Sequence, residues 1–286
     1  MKRIQIVQLS DLHLPSQGEK FSFNQRLDPQ KKLENCFADV SRLPEKPEMI
    51  VLSGDLIHEG TADDYERLRE YLFVKQEELK TKINVILGNH DRIGAFYAGF
   101  YGLEVKGQEH YYYRQQTSLV DYYFLDSNYQ NMEQGFLSAD QLTWLNEKLQ
   151  ENTNKPSLLF LHHPVAGTSL ETMRFSILQN DQELLKIVQG TNVRGIFSGH
   201  IHFATNELLK GVLCSTAEST AYHIDCTDLH DHLVADGSGY NLISFDGQNI
   251  GVENRVLLAP QETVMHIAVK QTDYVTADFF DKQVHN

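Results

Sequence analysis

Short, nearly unbroken apolar runs recur along this chain, and each stops abruptly at charged, amide or imidazole side chains. The runs IQIVQLS, EMIVLS, INVIL, SLLFL and VRGIFS cover 4–10, 48–53, 83–87, 157–161 and 193–198. Their β-branched and aliphatic content predicts strands buried on both faces. Between them the apolar period lengthens to that of a helix. Over 28–43, Leu33, Cys36, Phe37, Val40 and Leu43 share one face, and Pro44 and Pro47 close the segment. Over 62–80 the stripe is Tyr65, Leu68, Leu72 and Leu79. Ser138 is placed to cap a helix through Leu149 with Leu142, Leu145 and Leu149 inward, and another helix is expected near 181–189. Strand, loop and helix in alternation predict crossover units around a buried α/β sheet.

The middle of the chain changes character. Residues 110–127 carry HYYYR and SLVDYYFLDS, whose aromatic content suits antiparallel or edge strands, so Tyr111, Tyr112 and Tyr113 read as strand packing. Further strands are expected at 211–215, 220–225 and 240–245, with a turn at Asp246-Gly247 and more strands within 263–280. The connections 14–27, 127–137 and 164–179 are long for unstructured loops in a compact domain, which points to functional rim loops.

At 286 residues the chain can bury one large core. The polar motifs that end the strands span Asp11 to His202, and a boundary inside that stretch would split them. One catalytic domain over 1–286 is expected, with core motifs in 1–202 and C-terminal strands and an extension in 203–286. Charge narrows the partners. Twenty-five Lys and Arg against 39 Asp and Glu give a formal charge of -14, the wrong sign for a nucleic-acid polymer. A small phosphorylated substrate remains compatible, because bound cations override the global field locally. Cys36, Cys214 and Cys226 have neither disulfide nor zinc-ribbon spacing and read as buried thiols of a reducing compartment. The opening apolar run is short, broken by Gln5 and Gln8, and leads straight into Asp11, unlike a signal peptide. No apolar stretch approaches membrane-spanning length, so a soluble, cytoplasmic protein without a membrane partner is expected. Charge does not decide between a monomer and a homo-oligomer.

Five motifs carry the candidate chemistry: Asp11-Leu12-His13, Gly54-Asp55, Gly88-Asn89-His90-Asp91, His162-His163 and Gly199-His200-Ile201-His202. In α/β sheets, ligand groups collect beyond the carboxyl ends of the strands, so the five motifs are expected in one place. Carboxylate with imidazole suits Fe, Mn or Zn better than Mg alone. The alternate-residue spacing of Asp11 with His13, and of His200 with His202, can put both side chains on one side of extended backbone. Asp55 could bridge two ions, and Asn89 offers a neutral oxygen that adds no charge to a site receiving phosphate. His90 is a candidate proton donor to a leaving alkoxide. Asp91 orients His90, caps the next segment or is purely structural, and His163 stands beside the ligands or is purely structural. His58 reaches substrate or only the rim. His223, His230 and His232 are expected to face solvent or pack in a cap, and Asp225, Asp228 and Asp231 to be solvated loop charge.

In their order the motifs D-x-H, G-D, G-N-H-[D/E], H and G-H-x-H make this chain resemble the calcineurin-like metallophosphoesterases over roughly 1–202. LSDLHL, LSGDLIHEG, LHHPV and GYNLISFDG are further similar to bacterial class III cyclic-nucleotide phosphodiesterases. The resemblance implies a four-layer αββα sandwich with two mixed β-sheets in place of one doubly wound sheet. It implies one ion held by Asp11, His13, Asp55 and His202, and a second by Asp55, Asn89, His162 and His200. Fe with Mn or Zn, or Mn in both sites, is the implied loading. The implied reaction is hydroxide attack on a phosphodiester, such as cyclic AMP opened to the 5′-monophosphate, with His90 and Asn89 at the phosphate and His90 assisting the leaving group. Other phosphodiesters, phosphomonoesters and nucleotide-sugar or lipid pyrophosphates are the alternative substrates. A non-enzymatic scaffold on the same fold would be expected to lack ligand residues, and none is missing.

Overall fold

The computed structural model describes residues 3–19, 26–105, 110–151, 153–228, 231–257 and 263–268. The first half holds β1 (Ile4–Leu9), α1 (Pro29–Val40), β2 (Met49–Ser53), α2 (Ala62–Leu79), β3 (Lys82–Ile86) and the short α3 (Ile93–Phe96), which runs into a π-helical turn at Tyr97–Tyr101. Then come β4 (Tyr113–Gln116), β5 (Asp121–Phe124), α4 (Ala139–Gln150), β6 (Ser157–Phe160), a 3-10 segment at Thr168–Ser176, α5 (Asp181–Val188) and β7 (Val193–Ser198). The last strands are β8 (Thr205–Leu209), β9 (Val212–Thr216), β10 (His223–Asp225), β11 (Asp231–Ala235), β12 (Gly239–Phe245), β13 (Ile250–Val256) and β14 (Thr263–Ala268).

Two mixed sheets result. One has the order β13-β12-β1-β2-β3 and the other β4-β5-β6-β7-β9-β8. In the first, β1, β2 and β3 run parallel and β12 and β13 add antiparallel strands on one side; in the second, β5, β6, β7 and β9 run parallel and antiparallel β4 and β8 close both edges. Period-two alternation explains why the strands read as unbroken apolar runs. Ile4 and Ile6 of β1, Met49 and Val51 of β2, Tyr122 and Phe124 of β5 and Leu158 and Phe160 of β6 meet between the sheets. Their neighbours Val7, Leu9, Ile50 and Leu52 face α1 and α2, while Tyr123 and Leu159 face α4 and α5. Helices outside two packed sheets give the αββα sandwich.

The helix starts follow side-chain chemistry. Asp28 accepts the Lys31 amide, Ser138 accepts the Gln141 amide, and Thr61 with Asp64 forms a reciprocal capping box. Helix α1 stops at Val40 rather than 43, because Pro44 drives the residue before it out of helical geometry; Leu43 still packs on the same core. Strands β8, β11 and β13 have no counterpart in the apolar pattern. β8 and β13 are sheet edges that alternate half-buried with exposed residues, so no apolar run marks them. The segment 164–179 is not irregular throughout, since its centre is the 3-10 turn. Expected strand beyond Ala268 lies outside the described residues, as does His230.

Residues after 202 complete both sheets through β8, β9, β12 and β13, and build a small sheet, β10-β11-β14, whose Val234 packs with Leu27, Ala221 and Tyr222. All three cysteines are buried and free. Among the described residues no helix is long and apolar enough to cross a membrane.

Candidate metal centre

All five motifs emerge at the carboxyl ends of parallel strands. Asp11 and His13 follow β1, Asp55 follows β2, Asn89 and His90 follow β3, His162 follows β6, and His200 and His202 follow β7. Two different sheets therefore supply the cluster. The turn after β1 is stitched to the turn after β2 by backbone bonds from Asp11, His13 and Leu14 to Gly54, Asp55 and Leu56. The His200 amide donates to both oxygens of Asp11, at 3.1 and 2.9 Å, tying one sheet's ligand turn to the other's.

The backbone at this junction is unusual. Asp11, His13, Asp55, His200 and His202 all have positive φ, between 44° and 75°. Left-handed backbone costs most non-glycine residues about 1–2 kcal/mol, and Asp, Asn and His tolerate it best. The turns fan five polar side chains into a space that regular strands could not reach. Close approach also fixes the neighbouring glycine: a Cβ on Gly88 would collide with the Asp55 carboxylate and backbone and the His162 ring.

The donor atoms fall into two overlapping sets. In the first, His13 Nε2 lies 3.0 Å from His202 Nε2 and 3.6 Å from Asp55 Oδ2, and His202 Nε2 lies 3.6 Å from Asp11 Oδ1. In the second, His162 Nε2 is 3.4 Å from Asp55 Oδ2, 3.2 Å from Asn89 Oδ1 and 3.2 Å from His200 Nδ1. Ligands about 2.0–2.2 Å from a common ion stand about 3.0–3.6 Å from one another, which is the spacing seen. All seven side chains are buried, at 6% exposure or less.

Hydrogen bonding outside the cluster orients two of its rings. His202 Nδ1 is bonded to the Tyr222 carbonyl at 2.9 Å, and His162 Nδ1 to the Ser53 carbonyl at 2.8 Å. Each ring therefore carries its proton outward and turns a lone pair inward. His162 Nε2 then faces the acceptor oxygens of Asn89 and Asp55, so a proton or a metal must sit among them. Without metal the proton takes that place. Burial works against the His162 imidazolium, yet Asp55 and then Asp11 hold it up at about 10. Burial likewise opposes the Asp55 carboxylate, but His162 draws it well below the usual range. His13 and His202 are held below their ordinary value, first by burial, and are neutral. Buried imidazoles and carboxylates in this arrangement fit a pair of transition ions.

Around the donors, the histidines separate by role. The His90 ring packs edge-on against His13 at 5.1 Å and stacks on His58 at 4.5 Å, placing both at the mouth. The His90 amide donates to Asp55 Oδ1 at 2.9 Å. His163 is fully buried behind His162 and His200, with Nδ1 2.8 Å from Ser127 Oγ. His223 pairs with Glu218 at 2.8 Å, and His232 is buried in β11 with its ring stacked near Phe175. Asp225 and Asp231 lie in β10 and β11, not in a solvated loop. Tyr111 and Tyr113 do pack in an aromatic cluster with Phe96 and Phe124.

Of the roles expected for it, Asp91 takes the purely structural one. Its carboxylate accepts the amides of Gly88, Leu56 and Ile57 and the hydroxyl of Tyr65, binding the turn after β2 to the turn after β3. Sequence reasoning also missed Asn128, Asn131, Glu133 and Ser176. Asn128 and Asn131 donate to the carbonyls of Gly88, Asn89 and Asp91. Glu133 and Ser176 meet at His200. The only sequence signal for all four is their membership of the long connections 127–137 and 164–179.

The chain matches the Calcineurin-like phosphoesterase family over residues 4–204 and belongs to it. With its buried His and Asp clusters, it is a metal-dependent phosphoesterase. It is similar to a 3′,5′-cyclic-nucleotide phosphodiesterase of a Nostoc species, 32% identical over 77% of this chain and 79% of the relative. A protein of Arcobacter nitrofigilis named as a probable glycerophosphodiester phosphodiesterase is 30% identical over 77% of this chain and 79% of its own. A cAMP/cGMP dual specificity phosphodiesterase of Mycobacterium tuberculosis is 27% identical over 78% and 69% of the two chains. Among solved structures, a dimetal phosphatase from Danio rerio superposes with a TM-score of 0.55 at 13% identity, covering 87% of this chain and 98% of that one, a likeness of fold.

Proposed function

We propose that this protein is a dinuclear metal-dependent phosphodiesterase that hydrolyses 3′,5′-cyclic nucleotides, cyclic AMP among them, to nucleoside 5′-monophosphates. The observation that carries this reading is Asp55 Oδ2, which lies 3.6 Å from His13 Nε2 and 3.4 Å from His162 Nε2, between the two donor sets. Asp11, His13, Asp55 and His202 would hold one ion, and Asp55, Asn89, His162 and His200 the other. The mixed nitrogen and oxygen donors suit Fe with Mn or Zn, or Mn in both places. When bound, two such ions supply Lewis acidity at the phosphoryl oxygens and a nucleophile from water at neutral pH.

The chain's own residues do the rest. His90 stands at the mouth, its backbone anchored on Asp55, and hands a proton to the departing alkoxide. Asn89 supplies a neutral oxygen, so the site keeps its attraction for a phosphate anion. The Tyr222 ring lies 5.2 Å from that of His13 and 4.3 Å from that of His202, and walls that side from solvent. The names of the Nostoc and Mycobacterium relatives support cyclic nucleotides as the substrate class. The Arcobacter relative favours glycerophosphodiesters as the second reading.

A kinetic panel on metal-loaded protein tests both. The expected result is the highest kcat/KM on 3′,5′-cyclic nucleotides, ahead of 2′,3′-cyclic nucleotides, glycerophosphodiesters and phosphomonoesters. A higher value on a glycerophosphodiester replaces the substrate assignment. Undiminished turnover of bis(p-nitrophenyl) phosphate by Asp55→Ala removes the assigned centre altogether.

A further inference from the structure

The three inward-facing histidines of the β6 and β7 turns are not oriented alike. His162 and His202 place their outer nitrogens on backbone carbonyls, of Ser53 and Tyr222, which neighbouring main chain fixes. The outer nitrogen of His200 meets only side chains: Ser176 Oγ at 2.9 Å and Glu133 Oε1 at 3.4 Å. Ser176 in turn donates to Glu133 Oε1 at 2.6 Å.

A backbone carbonyl can only accept, so it dictates the tautomer of the ring it touches. A serine hydroxyl can donate or accept and dictates nothing alone. Glu133 resolves that ambiguity. By taking the Ser176 proton, it obliges Ser176 to accept from His200 Nε2–H, and the lone pair on His200 Nδ1 is left facing His162 Nε2 and the second donor set. Without a carboxylate at 133, Ser176 is free to rotate and donate to Nε2. The ring proton then moves to Nδ1, where it blocks ligation.

We propose that Glu133 and Ser176 are positioning residues that set the affinity of the second ion through the tautomer of His200. The proposal rests on the dinuclear reading above. Both residues lie in connections rather than in sheet. Ser176 ends the 3-10 segment, whose start is held by Glu207 accepting the Ser169 amide and hydroxyl at 2.6 and 2.7 Å. Glu133 follows Asn131, whose amide donates to the Asn89 carbonyl at 2.7 Å. Two ligands of the second ion, Asn89 and His200, therefore lean on the one stretch 131–133. No ligand confined to the first ion touches it in this way. Glu133 is 51% exposed, so the far end of this chain of bonds is open to solvent and to whatever docks at the rim.

The test is metal titration of chelator-stripped protein with Mn2+, followed by competition with a chromophoric chelator and by elemental analysis. The unaltered protein takes up two ions. In Glu133→Ala and Ser176→Ala the first ion binds as before, and the second weakens 10–100-fold, the usual cost of losing a partner that orients a metal-binding histidine. Ser176→Thr, which keeps the hydroxyl, restores the second ion, and the double variant is no worse than either single one because both break the same chain. Thermal melting of the metal-free variants checks folding, and the Ser176 pair carries the test if Glu133→Ala does not fold. Variants that bind both ions as tightly as the parent, or lose both together, overturn the proposal alone. A parent that takes up a single ion overturns the dinuclear reading and this proposal with it.

Discussion

The Asp91 carboxylate offers a quantitative test of how the ligand turns are held. Four donors converge on this 0%-exposed group: the amides of Gly88, Leu56 and Ile57 and the Tyr65 hydroxyl. Asp91→Asn keeps one oxygen and turns an NH2 toward the remaining donors. If the amide oxygen takes the Oδ1 place, Ile57 and Tyr65 are still satisfied, while Gly88 N–H, 2.9 Å from Oδ2, meets another donor and the Leu56 amide loses half of its forked bond. Orphaning a buried donor costs about 1–3 kcal/mol, so the variant should lose about 2–4 kcal/mol. Tyr65→Phe removes one donor, and with it the oxygen that accepts the Arg92 amide at 3.2 Å, but leaves the carboxylate its three amides; the expected loss is about 1 kcal/mol. Urea unfolding of the metal-free proteins reads both values without any contribution from ion affinity. Loss of less than about 1 kcal/mol in Asp91→Asn, or equal losses in the two variants, would refute the reasoning.

Other expectations follow from the same geometry. Gly88→Ala should strip the protein of both ions in elemental analysis, because its methyl group overlaps Asp55 and His162, which between them serve both donor sets. Metal loading at pH 7 should release about one proton from His162, whose imidazolium is held up at about 10 in the metal-free protein; calorimetry in buffers of different ionisation enthalpy measures it, and a value of zero counts against that assignment. The same raised value means that the stability His162 lends the metal-free protein is complete below about pH 6.5 and disappears as pH rises toward 10, so a urea series across that window should show stability falling. His90→Asn should lower kcat about 10²–10⁴-fold with little change in KM, as loss of a proton donor does; an equal rise in KM with kcat intact would make it a binding residue.

The sandwich core was legible because β1, β2, β3, β6 and β7 are buried on both faces, and such strands write themselves into the sequence as apolar runs. Their polar terminators marked the seven side chains that the turns after these five strands bring together. Edge strands such as β13 left no such trace, because half of each faces solvent. Asp91, Asn131, Glu133 and Ser176 were illegible for a different reason. Each acts through main-chain atoms or a ring nitrogen far away in sequence, and no local pattern records a partner that only the fold brings near. Asp91 sat inside a motif and a purely structural role was open to it, but its partners Leu56 and Ile57 were not foreseeable, lying 35 and 34 residues away.

That the donors come from two sheets has a mechanical consequence. Asp55 ends a strand of one layer and His162 a strand of the other, 3.4 Å apart, so an ion bound between them would be a rivet through the open edge of the sandwich. Filled at 100 times its dissociation constant, one such site adds about 2.7 kcal/mol to the folded state. Chelation would therefore soften the mouth as well as silence it, and the same ions that perform the reaction would hold the two halves of the chain in register.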